Sequence, residues 1–210
     1  MQALQNKAEE KIPEIVKKRM IQLLVLLDSF SKEKITSREI KNLTGWTDST
    51  IRHDFWLLDL KKGVSNGYFT AELKSELEEK LGLEKKSGGE RKRLCIAGLN
   101  RLGAALLDEN TFSESGFEIK AGFDTNLYRV EILRSSFPLY PASQMDFVIK
   151  KEKIEYAVLT VDSKSAQSMA MRLASAGIKG IVNMTDTIIT VPENVKVENA
   201  SITTALKLVI

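Results

Sequence analysis

Cysteine and histidine are nearly absent from this chain: Cys95 and His53 are the only ones among 210 residues. A lone cysteine excludes an internal disulfide framework and a cysteine-clustered zinc site. A lone histidine excludes paired-histidine metal motifs such as H-E-x-x-H. No apolar run approaches the length of a bilayer span, and the lysine- and glutamate-bearing first residues do not read as a signal peptide. The expectation is therefore an intracellular, cytoplasmic chain with no membrane partner. An excess of one charge is missing too: 31 Lys and Arg stand against 28 Asp and Glu, a net +3. Such a total excludes a polycationic tail and leaves any phosphate-rich partner to be judged from how the charge is distributed. What remains is 43% apolar and 28% charged content, an ordinary globular composition, long enough for one large domain or two small ones.

The segment Glu84-Lys85-Lys86-Ser87-Gly88-Gly89-Glu90-Arg91 is polar and glycine-containing, with nothing to bury, and reads as a linker (85–91) between domains at 1–84 and 92–200. Before it the pattern is helical. Pro13 and Glu14 open an amphipathic helix carrying Ile15, Val16, Met20, Leu23, Leu24 and Leu27, to about Phe30. Thr36 with Glu39 forms a capping-box pattern for a short helix, Ser37 to Leu43. Gly45 supplies a turn, and Thr47 or Asp48 caps a third helix to about Leu60. Two short helices across such a turn are the pattern of a helix-turn-helix. Asn66-Gly67 within 61–69 signals a hairpin, which completes a winged helix, and a helix over about Ala71–Leu81 follows. After the linker, strands at 93–97, 117–123, 156–161 and 180–184 alternate with helices at 102–107, 142–151 and 165–176. That alternation predicts an α/β, doubly wound parallel sheet of Rossmann type.

On a helical wheel of residues 48–60, Ile51, Phe55 and Leu58 share the buried face, while Ser49, Arg52, His53 and Trp56 lie opposite. A solvated helix has little use for a tryptophan there; a helix in a DNA major groove uses hydroxyl, guanidinium and planar groups on that side. From Lys17 to Lys62, ten basic residues face six acidic ones, a local +4. Thr47 and the helix-start amides are placed for a phosphate, Thr50 lies beside the reading face, and Lys61, Lys62 and Asn66 lie in the wing, where backbone phosphates pass. The alternative is a solvated face with Trp56 covered by a neighbour.

Gly98-Leu99-Asn100-Arg101-Leu102-Gly103 reads G-x-N-x-x-G between a strand and a helix, one residue away from the dinucleotide fingerprint G-x-G-x-x-G. Asn100 crowds the approach that the middle glycine leaves open, and Arg101 offers a compensating phosphate contact. Asp124 ends the next strand, twenty-one residues past Gly103, where a ribose-binding carboxylate belongs; its charge favours NAD over NADP. The alternatives are a Rossmann-type domain kept for dimerisation, and an Asp124 that merely caps a turn. Cys95 reads as a core residue, Trp46 as packing between helices, and Lys150 to Lys153 as a solvated helix end.

Taken together, these residues resemble the Rex family of redox-sensing transcriptional repressors along nearly the full chain. The resemblance is carried by Ile12-Pro13-Glu14, Ile35-Thr36-Ser37-Arg38-Glu39-Ile40, Ile51-Arg52-His53-Asp54, Asn66-Gly67-Tyr68 and Leu81-Gly82-Leu83. It continues through Gly98 to Leu107, Gly122-Phe123-Asp124, Ala166-Gln167, Ala176 to Asn183, Val191-Pro192 and Val195 to Asn199. It implies a homodimer that binds a symmetric double-stranded DNA operator, NAD(H) in the Rossmann domains, release of DNA by NADH, and a C-terminal dimerisation helix (201–210) swapped between subunits. Arg52 and Asp54 match the recognition-helix motif, with His53 where Lys or Arg is usual; Gly98, Gly103 and Asp124 match nucleotide positions, and Thr160 and Asn183 join the expected cofactor site. The sequence departs from the family at Asn100, at Val161-Asp162 in place of Val-Pro, at Met184-Thr185-Asp186 in place of a Phe-Ala-Pro-like stretch, and at Ser201 in place of an aspartate before a short last helix.

Three functions compete. One is a Rex-like repressor sensing NADH/NAD⁺. The second is a DNA-binding regulator that answers another ligand or none, which Asn100, Asp162 and Met184 leave open. The third, an NAD-dependent enzyme, finds no support: the only histidine sits in the DNA-reading helix, and no Tyr-x-x-x-Lys or lysine–carboxylate pair accompanies the glycine turn.

Overall fold

Residues 12–60, 67–83, 91–108, 112 and 115–210 are described by the computed structural model, and the chain divides into two units, Met1–Lys86 and Ser87–Ile210. The first unit runs α1 (Glu14–Ser29), β1 (Lys34–Ile35), α2 (Ser37–Thr44), α3 (Asp48–Leu57), β2 (Tyr68–Phe69) and α4 (Thr70–Leu81). Val16, Met20, Leu23, Leu24 and Leu27 of α1 close over Ile35, Ile40, Ile51, Phe55, Leu58, Leu73 and Leu77 in one core. Ile15 falls outside the three-and-four stripe of Val16 and is exposed. Trp46 packs against the edge of this core, as its place between helices suggests.

Two local expectations change. The third helix stops at Leu57 rather than Leu60. Asp59 turns left-handed, with φ 51°, and the amides of Asp59 and Leu60 bond back to Trp56 and Phe55, a Schellman-type stop that an Asp tolerates. The strand at Tyr68–Phe69 pairs antiparallel with Lys34–Ile35, so this strand is held by the segment before α2; residues 61–66, including Lys61, Lys62 and Asn66, lie outside the described residues, as do Glu84 and residues 85–90 of the expected linker. Gly67 fits this pairing because it has φ +112° and a Cβ would stand 2.5 Å from the Ile35 carbonyl oxygen.

The second unit runs β3 (Lys92–Ala97), α5 (Arg101–Ala105), β4 (Phe117–Asp124), α6 (Leu127–Ile132), β5 (Leu139–Pro141), a 3₁₀ turn (Ala142–Gln144), α7 (Met145–Lys151), β6 (Tyr156–Leu159), α8 (Ala166–Ala176), β7 (Gly180–Asn183), β8 (Lys196–Asn199) and α9 (Ile202–Leu208). The sheet order is β5-β4-β3-β6-β7-β8, every pair parallel, which is the doubly wound order expected of a Rossmann fold. Period-two alternation sends Cys95 and Ala97 of the central strand to one face and Leu94 and Ile96 to the other. Each face is a closed core, and each fully buried Leu or Ile contributes roughly 1.5–3 kcal/mol. Cys95 is fully buried, and that burial pushes its thiol up to about 12, which suppresses the reactive thiolate. The winding direction reverses between β3 and β6, so the crevice where such folds bind ligands opens beyond Ala97 and Leu159.

Candidate functional site

Two places concentrate the functional side chains, one in each unit. In the first, α2 is fixed by its capping box: the Glu39 amide donates to Thr36 Oγ1 at 3.1 Å and the Thr36 amide to Glu39 Oε2 at 2.9 Å. Gly45 closes the helix at φ 74°, and Thr47 caps α3 by accepting from the Thr50 amide at 3.1 Å. The hydroxyls of Ser49 and Thr50 each lie 2.8 Å from Thr47 Oγ1. One face of α3 is buried through Ile51, Asp54 and Phe55. The other presents Ser49, Arg52, His53 and Trp56 to solvent. Trp56 is 73% exposed, so no neighbour among the described residues of its unit covers it, and its ring lies 6.3 Å from that of His53.

Asp54 explains how this face is held. It is fully buried on α3 and receives a two-pronged bond from Arg19 of α1, Nε to Oδ2 at 2.6 Å and an η nitrogen to Oδ1 at 2.7 Å. The pair locks α3 to the long α1, the planar fork fixing angle as well as distance. The sequence marks Asp54 within a motif; only the fold shows that its carboxylate points inward.

In the second unit, the turn after β3 is built from constraints that only glycine meets. Gly98 has φ +103°, and a Cβ there would lie 2.6 Å from the Val161 nitrogen; a Cβ on Gly103 would lie 1.9 Å from the Gly98 carbonyl oxygen. Thr160, buried at the end of β6, donates its hydroxyl to that same carbonyl at 2.6 Å. Asn100 caps α5: its Oδ1 accepts from the amides of Leu102 at 3.0 Å and Gly103 at 3.1 Å, while its Nδ2 donates to the Thr160 carbonyl. Asp124 is buried at the end of β4. Its Oδ2 accepts from the Leu99 amide at 2.6 Å and from Arg129 at 3.3 Å, and its Oδ1 from the Asn126 amide at 2.7 Å.

A small open cleft lies at this turn, lined by Gly98, Asn100, Asp124, Thr125, Arg129, Val161, Asp162, Ser165 and Met169. Of the expected cofactor residues, Gly98, Asn100 and Asp124 meet here. Leu99 is buried beneath the turn, Gly103 packs behind it, Leu102 is half-buried and Arg101 is exposed. Thr160 and Asn183 spend their side chains inside the fold. Asn183 donates to the Thr187 carbonyl at 2.8 Å and Asn199 Oδ1 at 2.9 Å and accepts from Thr185, tying β7 to β8. Met184 packs against the core of one sheet face. Arg129, which the sequence pattern did not single out, is signalled only by its spacing: five residues past Asp124, on a short helix capped by Asn126. Asp162 takes hydrogen bonds from Ser165, which hold its carboxylate below the usual value, so it stays ionised at the cleft. Ser201 caps α9 and donates to Asp186 at 2.5 Å.

The turn, the strand-end carboxylate and the crevice suit a dinucleotide; the Asn100 cap occupies amides that its diphosphate would use. Among the described residues no group of three or more His, Cys, Asp or Glu is placed to hold a metal, and no helix is long and apolar enough to cross a membrane.

Residues 90–187 match the CoA binding domain family. The chain is 31% identical over 206 residues to the redox-sensing transcriptional repressor Rex of Ligilactobacillus salivarius, covering 97% of this chain and 94% of that one. It is 29% identical over 203 residues to the Rex repressor of Listeria welshimeri, covering 95% and 92%. Among solved structures, RSP, a Rex-family repressor, in complex with β-NAD⁺ and operator DNA superposes with a TM-score of 0.82 at 28% identity, over 93% of this chain and 89% of that one. The RSP complex with β-NADH gives 0.79 at 29% identity, over 93% and 90%. With an α/β unit of Rossmann order behind a helix-turn-helix, and this likeness running through both, the chain belongs to the Rex family of redox-sensing transcriptional repressors.

Proposed function

We propose that the protein is a homodimeric, cytoplasmic transcriptional repressor that binds a symmetric DNA operator through residues 1–84 and NAD(H) through residues 92–200, joined by the linker 85–91. The observation that carries this reading is the full-length likeness to Rex repressors, including a solved relative in complex with both β-NAD⁺ and operator DNA. Arg52 reads a base edge, with Ser49, Thr50 and His53 beside it; Thr47, Lys61, Lys62 and Asn66 act on backbone phosphates. Gly98, Leu99, Asn100, Arg101, Leu102, Gly103 and Asp124 form the nucleotide turn, with Thr160 bonded to it from behind and Asn183 at the neighbouring strand end. When bound, NAD(H) supplies the redox-dependent charge of the nicotinamide ring. The chain's own residues position it: Gly98 and Gly103 keep the turn tight, and Asp124 with Arg129 faces the cleft at the strand end. Residues 201–210 serve the dimer. The exposure of Ile202, Leu206, Leu208 and Val209 along and just past α9 supports an apolar partner surface there.

Ligand in the crevice shifts the balance between two dimer states whose recognition helices differ in register with adjacent major grooves, the reduced form favouring release. Calorimetry with NADH and NAD⁺, beside fluorescence anisotropy of a duplex selected from random sequence, tests both halves. Cofactor binding coupled to loss of the duplex complex is expected. Duplex binding with no heat at millimolar cofactor would leave a DNA-binding regulator without NAD(H), the reading to which Asn100 and Asp162 point.

A further inference from the structure

In a dinucleotide-binding turn the middle glycine gives the diphosphate room to reach the amides that open the following helix. Asn100 holds that position here in extended backbone, φ −68° and ψ −170°, which any residue adopts. The backbone therefore does not need the glycine, and what the asparagine changes is its side chain. That carboxamide is committed at both ends. Its oxygen accepts from the Leu102 and Gly103 amides, the groups a phosphoryl oxygen would take, and its nitrogen donates across the crevice to the Thr160 carbonyl, bridging the ends of β3 and β6. Asn100 lines the cleft together with Asp124 and Arg129. At the two amides a group of the protein stands in for a phosphoryl oxygen; the Thr160 carbonyl, an acceptor, anchors the carboxamide and offers a diphosphate nothing.

We propose that Asn100 is an affinity-setting latch: an intramolecular competitor that must leave three hydrogen bonds before the diphosphate of NAD(H) can land. This rests on the NAD(H) reading above and deepens it. A diphosphate can win the exchange, because hydrogen bonds to an anion are roughly twice as strong as those to a neutral carboxamide, but it must first displace an occupant that is always at hand. The latch acts on the diphosphate, so it weakens NAD⁺ and NADH alike and does not choose between redox states. It leaves the nucleoside end, at Asp124 and Arg129, untouched. The repressor would thus respond to total dinucleotide at a higher threshold than a glycine turn sets, while keeping its redox discrimination.

Calorimetry on the full-length wild type, Asn100→Gly and Asn100→Ala, with NADH, NAD⁺, ADP and adenosine as ligands, tests this. Asn100→Gly is expected to bind NADH, NAD⁺ and ADP at least about tenfold more tightly, equivalent to about 1.4 kcal/mol. Asn100→Ala, which removes the latch and keeps the Cβ, falls between, and adenosine is unchanged in all three. Thermal unfolding without ligand reads the loss of the cap independently as a lower Tm in both variants. Equal or weaker diphosphate binding by the variants overturns the latch and leaves the NAD(H) reading standing. Binding of no dinucleotide by any of the three at millimolar concentration overturns both. Tightening of adenosine together with ADP also overturns the latch, since it would place the effect outside the diphosphate. If Asn100→Gly fails to fold, Asn100→Ala against wild type separates the same outcomes.

Discussion

The reading face of α3 and the cleft at the glycine turn are opposite solutions to presenting polar groups. On α3 the one buried carboxylate, Asp54, is matched inward by Arg19, and Arg52, His53 and Trp56 are left outward, exposed to a partner. In the cleft, Asn100 and Asp124 are turned on the protein itself, each holding backbone amides. A surface of the first kind gains a ligand by giving up water alone. A surface of the second kind must exchange internal hydrogen bonds, each worth about 0.5–1.5 kcal/mol net, for those of the ligand. On the proposed function, a DNA contact would follow from exposed chemistry and a nucleotide contact from a competition.

The largest test of this contrast is the inward anchor of α3. Arg19→Ala leaves the Asp54 carboxylate buried and uncompensated, and is expected to destabilise the first unit by about 3–5 kcal/mol, read as an early transition in denaturant and loss of duplex binding. In the second unit, Gly103→Ala drives a methyl into the Gly98 carbonyl. A loss of about 1–3 kcal/mol or more is expected, with the first unit keeping its own helical signal. Equal disruption of both units by either substitution would break the comparison. Arg52→Ala, which touches only the exposed face, is expected to cost about 1–3 kcal/mol of operator affinity and to relax specificity at one base, with unfolding unchanged.

The smallest effect concerns pH. Lys32 and the amide and hydroxyl of Thr36 hold Glu39 down from 4.5 to about 2. A carboxylate whose folded value is depressed contributes stability that is present above 4.5 and is lost as pH falls toward 2. Acid denaturation followed at the α2 signal should show that loss, and Glu39→Gln should flatten it without moving the neutral-pH cofactor affinity.

How much of this is legible in the residues depends on whether backbone or environment dictates them. Gly98 and Gly103 announce themselves because positive φ and a 1.9 Å approach admit nothing else, and the Thr36–Glu39 box because its spacing is the hydrogen-bond geometry. The buried face of α3 follows from period 3.6. The inward turn of Asp54 does not, since an Asp beside Arg52 and His53 on a wheel looks equally suited to water; it takes Arg19, thirty-five residues earlier, to place it. Asn183 at a strand end reads alike whether it faces a ligand or β8. Strand β8, mostly exposed at the sheet edge, carries no apolar run to reveal it, and β5 is three residues ending in a proline. Asn100 marks the opposite limit: its departure from the fingerprint is visible at once, but the direction of its side chain is a property of the folded turn.

The most direct measurement is the release of operator duplex by NADH, followed by fluorescence anisotropy for wild type and Asn100→Ala side by side. A DNA face left open in the first unit and a self-satisfied cleft in the second predict equal duplex affinity without ligand and release of the variant at a several-fold lower NADH concentration. Coincident release curves, or a variant needing more NADH than wild type, would contradict it.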